Sequence, residues 1–170
     1  SLSEKKALTK LLSTGIGLPL ATKLLNSFKQ SAAFNRQGIL SMGEALVGAS
    51  QGFKNLRSQL VDNAGITKNL SIILKEQAAI LGVRTSKLND LQKYQLIANG
   101  LIQEAALYEG DAARAAASVA GQFDKMNISI EIASRSFGEF LATQGWVKAF
   151  TDNVISMTAA LEKLGKTMKG

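Results

Sequence analysis

Asp62, Asn63 and Thr67 lie close together in "LVDNAGITKNLSIIL", residues 60–74, and bring a carboxylate, an amide and a hydroxyl to one short turn. Oxygens of this kind hold calcium when a loop presents several at regular spacing. Here they are too few and too irregular. The remaining acids are scattered, and Glu104, Glu109 and Asp111 form the nearest group. Glu104 and Glu109 are five apart on a helix and do not share a face well, so they read as a solvated helix end with no partner base. The chain has no cysteine and no histidine, which removes disulfides, thiolate metal sites, Cys or Ser–His nucleophiles and imidazole acid–base chemistry. No P-loop, GxGxxG or calcium-loop spacing occurs. The expectation is a protein that is not an enzyme, with no catalytic residues, cofactor, metal or small-molecule substrate.

One further pattern could carry chemistry. "EQAAILGVRTSKLNDL", residues 76–91, resembles the core of a helix-turn-helix: Ala78, Gly82 and Leu88 match the small, glycine and apolar positions, and Leu81, Val83 and Leu91 fill the supporting slots. Arg84, Thr85, Ser86 and Lys87 would then open a recognition helix and face a DNA groove. Any two helices joined by a short glycine turn bury the same positions. DNA affinity also rests mainly on phosphate neutralisation. The basic excess is elsewhere: residues 1–60 carry +6, residues 61–113 carry −1 and residues 114–170 carry +2, within a total of +7. A basic first third suits nucleic acid, an anionic membrane surface or simply a solvated face.

The elements that must position these residues are helices. The chain has 170 residues, is 46% hydrophobic and only 6% aromatic, with a single proline, so an aliphatic core and an all-α fold are expected. No apolar run approaches a bilayer span. The first residue is Ser1, and a piece of a longer chain is expected. A first helix is predicted over 3–13 with Ser3 as its N-cap, and a second from Pro19 to about Asn35, broken at Gly38. "SMGE" is a capping box in which Ser41 bonds the Glu44 amide and Glu44 reaches back. The third helix then carries Met42, Leu46, Ala49, Phe53, Leu56 and Leu60 on one stripe, with Gly43, Gly48 and Gly52 suited to close helix approach. Asn63 or Gly65 turns the chain, Ile66 tucks in as a hydrophobic staple, and Thr67 caps a helix from about 68 to 81 that Gly82 ends. Asn89 with Gln92 caps a long helix to about Glu109, and Gly110 with Asp111 stops it and caps the next.

Residues 1–110 therefore read as a multi-helix segment with short Gly/Asn turns, and 111–170 as long helices. "DAARAAASVAG" is rich in small residues. Val119, Phe123, Met126, Ile130, Ala133, Phe137 and Phe140 alternate spacings of four and three. After a phase break at Gln144-Gly145, Val147, Phe150, Val154, Met157, Leu161, Leu164 and Met168 alternate three and four. Such stripes suit either a helical hairpin on the first half or self-association as a coiled coil, a trimer being one form.

Residues from about 15 to 145 resemble the amino-terminal conserved part of tailed-phage tail tape measure proteins. The resemblance is carried by "GLPLATKLLNSFKQSAAFNRQGILSMGEALVGASQGFKN" and by "SQLVDNAGITKNLSIILKEQAAILGVRTSKLNDLQKYQLIANGLIQEAALYEGDAARAAASVAGQFDK". Its most specific portion is "DNAGITKN", "ILGV", "LQKYQLIANGLIQEA" and "GDAARAAAS", in order and in spacing. The resemblance implies a structural component of a phage, prophage or tailocin tail. Such a protein lies as parallel helical copies in the tube lumen, sets tail length, scaffolds tube assembly and leaves ahead of the DNA at genome ejection. It implies a homo-oligomer, tail tube and tail tip proteins as partners, and contact with DNA or host membrane during ejection. It transfers no catalytic residue. The alternatives are a helix-turn-helix DNA-binding domain using 76–91 and a membrane-active helical protein.

Overall fold

The structure, a computed structural model, describes residues 1–35, 40–81, 83–111, 113–115 and 118. Among these the chain is all-α, with α1 (Leu2–Leu12), α2 (Leu18–Asn35), α3 (Met42–Asn55), α4 (Ser58–Val61), α5 (Leu70–Leu81) and α6 (Asp90–Tyr108). Single 3-10 turns fill Asp62–Ala64 and Thr85–Lys87. The apolar stripes from Val119 to Met168, their break at Gln144-Gly145, and the stops at Gly38 and Gly82 lie outside the described residues. No described helix is long and apolar enough to cross a membrane.

The core follows from helical periodicity. Ala21, Leu24, Leu25, Phe28 and Ala32 recur at helical spacing along α2 and are all buried. Pro19 sits in the first turn of α2, where its missing N–H would have had no helical partner. α2 packs against α1, α3 and α6, α1 crosses α3, and α5 lies on α6. Phe28, Phe53, Leu11, Leu24, Leu46, Ile66 and Ile73 are fully enclosed. Burial of each such side chain contributes about 1.5–3 kcal/mol relative to exposure.

Three boundaries differ from the sequence reading. α1 begins at Leu2, one residue early, and its cap is Ser1, not Ser3, the Ser1 hydroxyl accepting from the Glu4 amide at 3.2 Å. This sets Glu4 in the first turn, where a negative charge favours the helix dipole. The helix drawn from Met42 through Leu60 is two helices. α3 ends at Asn55, Leu56 turns into the left-handed region at φ 56°, and α4 starts at Ser58. The Arg57 amide donates to the Gly52 carbonyl at 2.7 Å and the Leu56 amide to the Phe53 carbonyl at 3.2 Å, the paired bonds of a Schellman stop. Gly52 makes the reversal feasible. A Cβ there would stand 2.7 Å from the Leu60 Cβ and 2.8 Å from the Val61 amide. Leu56 is consequently 48% exposed instead of extending the apolar stripe, and Leu60 belongs to α4.

The third difference concerns Thr67. It is exposed and lies outside the helix, because α5 begins at Leu70. The cap is Asn69, whose Oδ1 accepts from the Ser71 amide at 2.8 Å and the Ser71 hydroxyl at 2.6 Å. The Leu70 amide donates to Ser58 Oγ at 3.0 Å, so α4 serves the start of α5. Of the two candidates for the preceding turn, Gly65 takes the left-handed conformation at φ 84°, which glycine adopts without steric cost. Asn63 stays within the 3-10 turn, with its amide against Gly48.

Candidate functional site

The described residues gather their polar chemistry in a seam between α5 and α6. The Asp62–Ala64 turn, Gly65 and the enclosed Ile66 deliver Lys68 to the head of this seam. The Lys68 ammonium lies 2.7 Å from Glu76 Oε2 on α5 and 3.1 Å from Glu104 Oε1 on α6. Beside this triad, Gln77 Nε2 donates to Gln103 Oε1 at 3.0 Å, and Asn99 Nδ2 donates to Gln77 Oε1 at 2.8 Å. Gln77, Asn99 and Gln103 are buried, and Glu104 is only 7% exposed.

Backbone approach sets this geometry. Gly100 packs directly beneath Ile73, and a Cβ at Gly100 would overlap the Ile73 methyl and touch Gln77 Cγ. With α5 and α6 this close, the amides of one helix reach those of the other. Gln77 uses both ends of its amide, one as donor and one as acceptor, so its burial leaves no orphan of the costly kind. Linked hydrogen bonds of this sort specify one register between two helices, because a shift along α6 would strand several buried polar atoms.

Both charges of the Lys68–Glu104 pair are shifted by their surroundings. Burial holds the Glu104 carboxyl above its ordinary value; Lys68 opposes that shift and the Glu76 charge adds to it. Burial pulls Lys68 down, but the hydrogen bond to Glu76 and the charge of Glu104 outweigh it, so Lys68 sits above its ordinary value. For Lys68 two carboxylates exceed the loss of water, whereas for Glu104 one shared ammonium does not. We take the lysine as firmly charged and the Glu104 carboxylate as only partly compensated, because Glu104 is the more deeply buried group. A lysine locked as ammonium is neither a nucleophile nor a base. The seam fastens two helices.

The sequence reading placed Glu104 on a solvated helix end, and the structure corrects this. α6 is buried all round from Leu96 to Ala106, so Glu104 faces protein. Glu109 is also engaged, with its Oε2 at 2.8 Å from Arg114. Among the described residues no group of three or more His, Cys, Asp or Glu could hold a metal ion.

The capping residues are local. Ser41 Oγ accepts from the Glu44 amide at 3.1 Å. No reciprocal bond from the Glu44 carboxylate forms among the described residues, so half of the expected box is made. At α6 both halves form: the Gln92 amide donates to Asn89 Oδ1 at 2.8 Å, and the Asn89 amide donates to Gln92 Oε1 at 2.9 Å. Asp111 Oδ1 accepts from the Arg114 amide at 3.0 Å.

Arg84, Thr85, Ser86 and Lys87 do not open a recognition helix. Arg84 is extended, Thr85–Lys87 form one 3-10 turn, Leu88 and Asn89 are extended, and the next α-helix starts only at Asp90. That helix has no free face over its middle, whereas a groove-reading helix needs one.

The seam escaped the sequence reading because Lys68 and Glu104 are 36 residues apart. Its available signal was the row Asn99, Gln103 and Glu104 interrupting the otherwise apolar "LIANGLIQEAAL". Tyr94 was missed too. Its hydroxyl donates to the Lys54 carbonyl at 2.6 Å and its ring tilts against Phe53 at 5.3 Å, tying α6 to the end of α3. Comparison with protein-family models, with curated proteins and with solved structures gives no match for this chain.

Proposed function

We propose that this chain is a non-enzymatic structural module of a phage, prophage or tailocin tail, of the tape-measure kind that its sequence resembles. In this reading it is a homo-oligomer located in the tail. It contacts tail tube and tail tip proteins, helps set tail length and tube assembly, and is released at genome ejection.

One observation carries the reading. Two of the segments most specific to the resemblance meet in the fold, and a third is tied to the end of the helix that carries one of them. Lys68 of "DNAGITKN" reaches Glu104 of "LQKYQLIANGLIQEA", and Arg114 of "GDAARAAAS" reaches Glu109 at the end of α6. Their distinctive polar residues pair across helices. This supports a role in which shape and association are the function.

Light scattering with chemical cross-linking of the purified chain tests it. The expected result is a defined oligomer that falls to monomer when Phe137→Glu or Val154→Glu is introduced. A strict monomer at high concentration, unchanged by either substitution, overturns the reading. Salt-sensitive duplex binding lost on Arg84→Ala with Lys87→Ala would favour a DNA binder instead. Leakage from anionic vesicles would favour a membrane-active protein.

A further inference from the structure

A cleft of about 310 Å³ opens between α2 and the residues that follow α6, lined by Lys23, Asn26, Ser27, Gln30, Ile102, Arg114 and Ser118. Its size is at the lower end of the roughly 300–1,000 Å³ typical of ligand pockets. Lys23, Asn26, Ser27 and Gln30 are spaced three, one and three apart, so they form a single stripe of α2. A stripe turned toward a neighbouring helix is ordinarily apolar. Here all four members are polar, and among the described lining residues the aliphatic one is Ile102 of α6.

The cleft retains hydrogen-bond donors that are unused among the described residues. Gln30 Oε1 already accepts from Arg114 Nη1 at 2.8 Å, which leaves the Gln30 amide nitrogen without a partner among the described residues. Arg114 Nη2 is held by Glu109 Oε2 at 2.8 Å, and the guanidinium Nε has no partner among the described residues. Ser27 is only 4% exposed, has no hydrogen-bond partner among the described residues, and is not one of the sealed polar atoms. It lines the cleft. Lys23 has no carboxylate within ion-pair distance among the described residues. The Glu109 carboxylate neutralises Arg114, so Lys23 supplies the net positive charge. A donor-rich, singly positive cleft with one apolar wall matches a small oxyanion attached to an apolar or neutral group.

We infer that this cleft binds a small oxyanion, a phosphate or a carboxylate, through Lys23, Ser27 and the Gln30 amide. Inorganic phosphate and acetate are the probes. They are titrated against the 170-residue chain at ionic strength matched with chloride and followed by amide NMR shifts. The expected result is saturable binding of at least one probe, with the largest shifts at Lys23, Ser27 and Gln30. Preference between the two probes tells a phosphate ligand from a carboxylate one. Lys23→Gln is expected to weaken binding roughly tenfold or more, the size of one lost charge-assisted hydrogen bond. Ser27→Ala is expected to weaken it while leaving the melting temperature in chloride unchanged. Lys23 is exposed, so its substitution leaves the core intact. Absence of a saturable response to both probes overturns the inference, and so does binding that survives both substitutions.

Discussion

Replacing Lys68 with Met keeps an unbranched side chain and removes the ammonium that stands 2.7 Å from Glu76 and 3.1 Å from Glu104. At an effective dielectric of about 20, each contact carries roughly 5–6 kcal/mol of Coulomb attraction before desolvation is counted. Most of that is offset, since burial holds Glu104 above its ordinary carboxyl value despite the lysine. The Lys68 and Glu76 side chains are also 22% and 19% exposed, so water screens what remains. Breaking a fully buried pair from one side costs about 3–5 kcal/mol, and the screening lowers the expectation for Lys68→Met to about 2–3 kcal/mol at pH 7. The loss comes from Glu104 left charged and unpaired. Lys68→Met with Glu104→Gln should therefore be more stable than Lys68→Met alone, by about 1–2 kcal/mol. The pH dependence has a definite sign. A carboxyl raised in the folded state keeps its proton where the unfolded chain has released it. Its contribution to stability thus falls as pH rises from the ordinary 4.5 through the raised value, and returns on acidification. Without the ammonium Glu104 rises further, so the single variant should regain stability between pH 7 and pH 5 relative to the parent. Lys68, also raised, contributes fully below its ordinary 10.5 and loses that contribution only at more alkaline pH. Urea unfolding followed by far-UV circular dichroism at both pH values measures all of this. A Lys68→Met chain within about 0.5 kcal/mol of the parent would refute the reasoning, as would a double variant no more stable than the single one.

Two further outcomes test the corrected boundaries. Leu56 holds a left-handed conformation that disfavours a side chain by about 1–2 kcal/mol, while glycine gains unfolded-state entropy of about 0.5–1 kcal/mol. Leu56→Gly should therefore stabilise the chain by up to about 1 kcal/mol, read as a higher urea midpoint with an unchanged slope. Asn69→Ala should cost about 1 kcal/mol through loss of the cap on α5, whereas Thr67→Val should change thermal unfolding little. The reverse order of effects would return the cap to Thr67.

What could be read directly from the chain is whatever closes within one or two helical turns. The Asn89 and Gln92 box depends on an amide three residues away, and Pro19 needs only its own first turn. The all-α class follows from aliphatic spacing and from the scarcity of β-branched runs. Local pattern was weaker where two short-range choices competed. Thr67 and Asn69 are both capable caps, and α4 tips the balance by offering Ser58 Oγ to the Leu70 amide. The long stripe through Leu56 looked continuous because periodicity does not register that Gly52 admits α4 at van der Waals contact.

The sequence by itself therefore determined the helical class, the caps at Ser41 and Asn89, and the absence of imidazole and thiol chemistry. Each of these depends on residue identity and short spacing alone. Tertiary structure decided which polar residues would be buried together. Lys68, Glu76 and Glu104, and likewise Gln77, Asn99 and Gln103, form seams only because Gly100 lets α5 close on α6. The polar stripe of α2 likewise became a cleft only because Ile102 and Arg114 were brought across from it. The reason is the same in both places. The free energy of a charge or an amide depends on how much water surrounds it, and neighbours distant in sequence determine that.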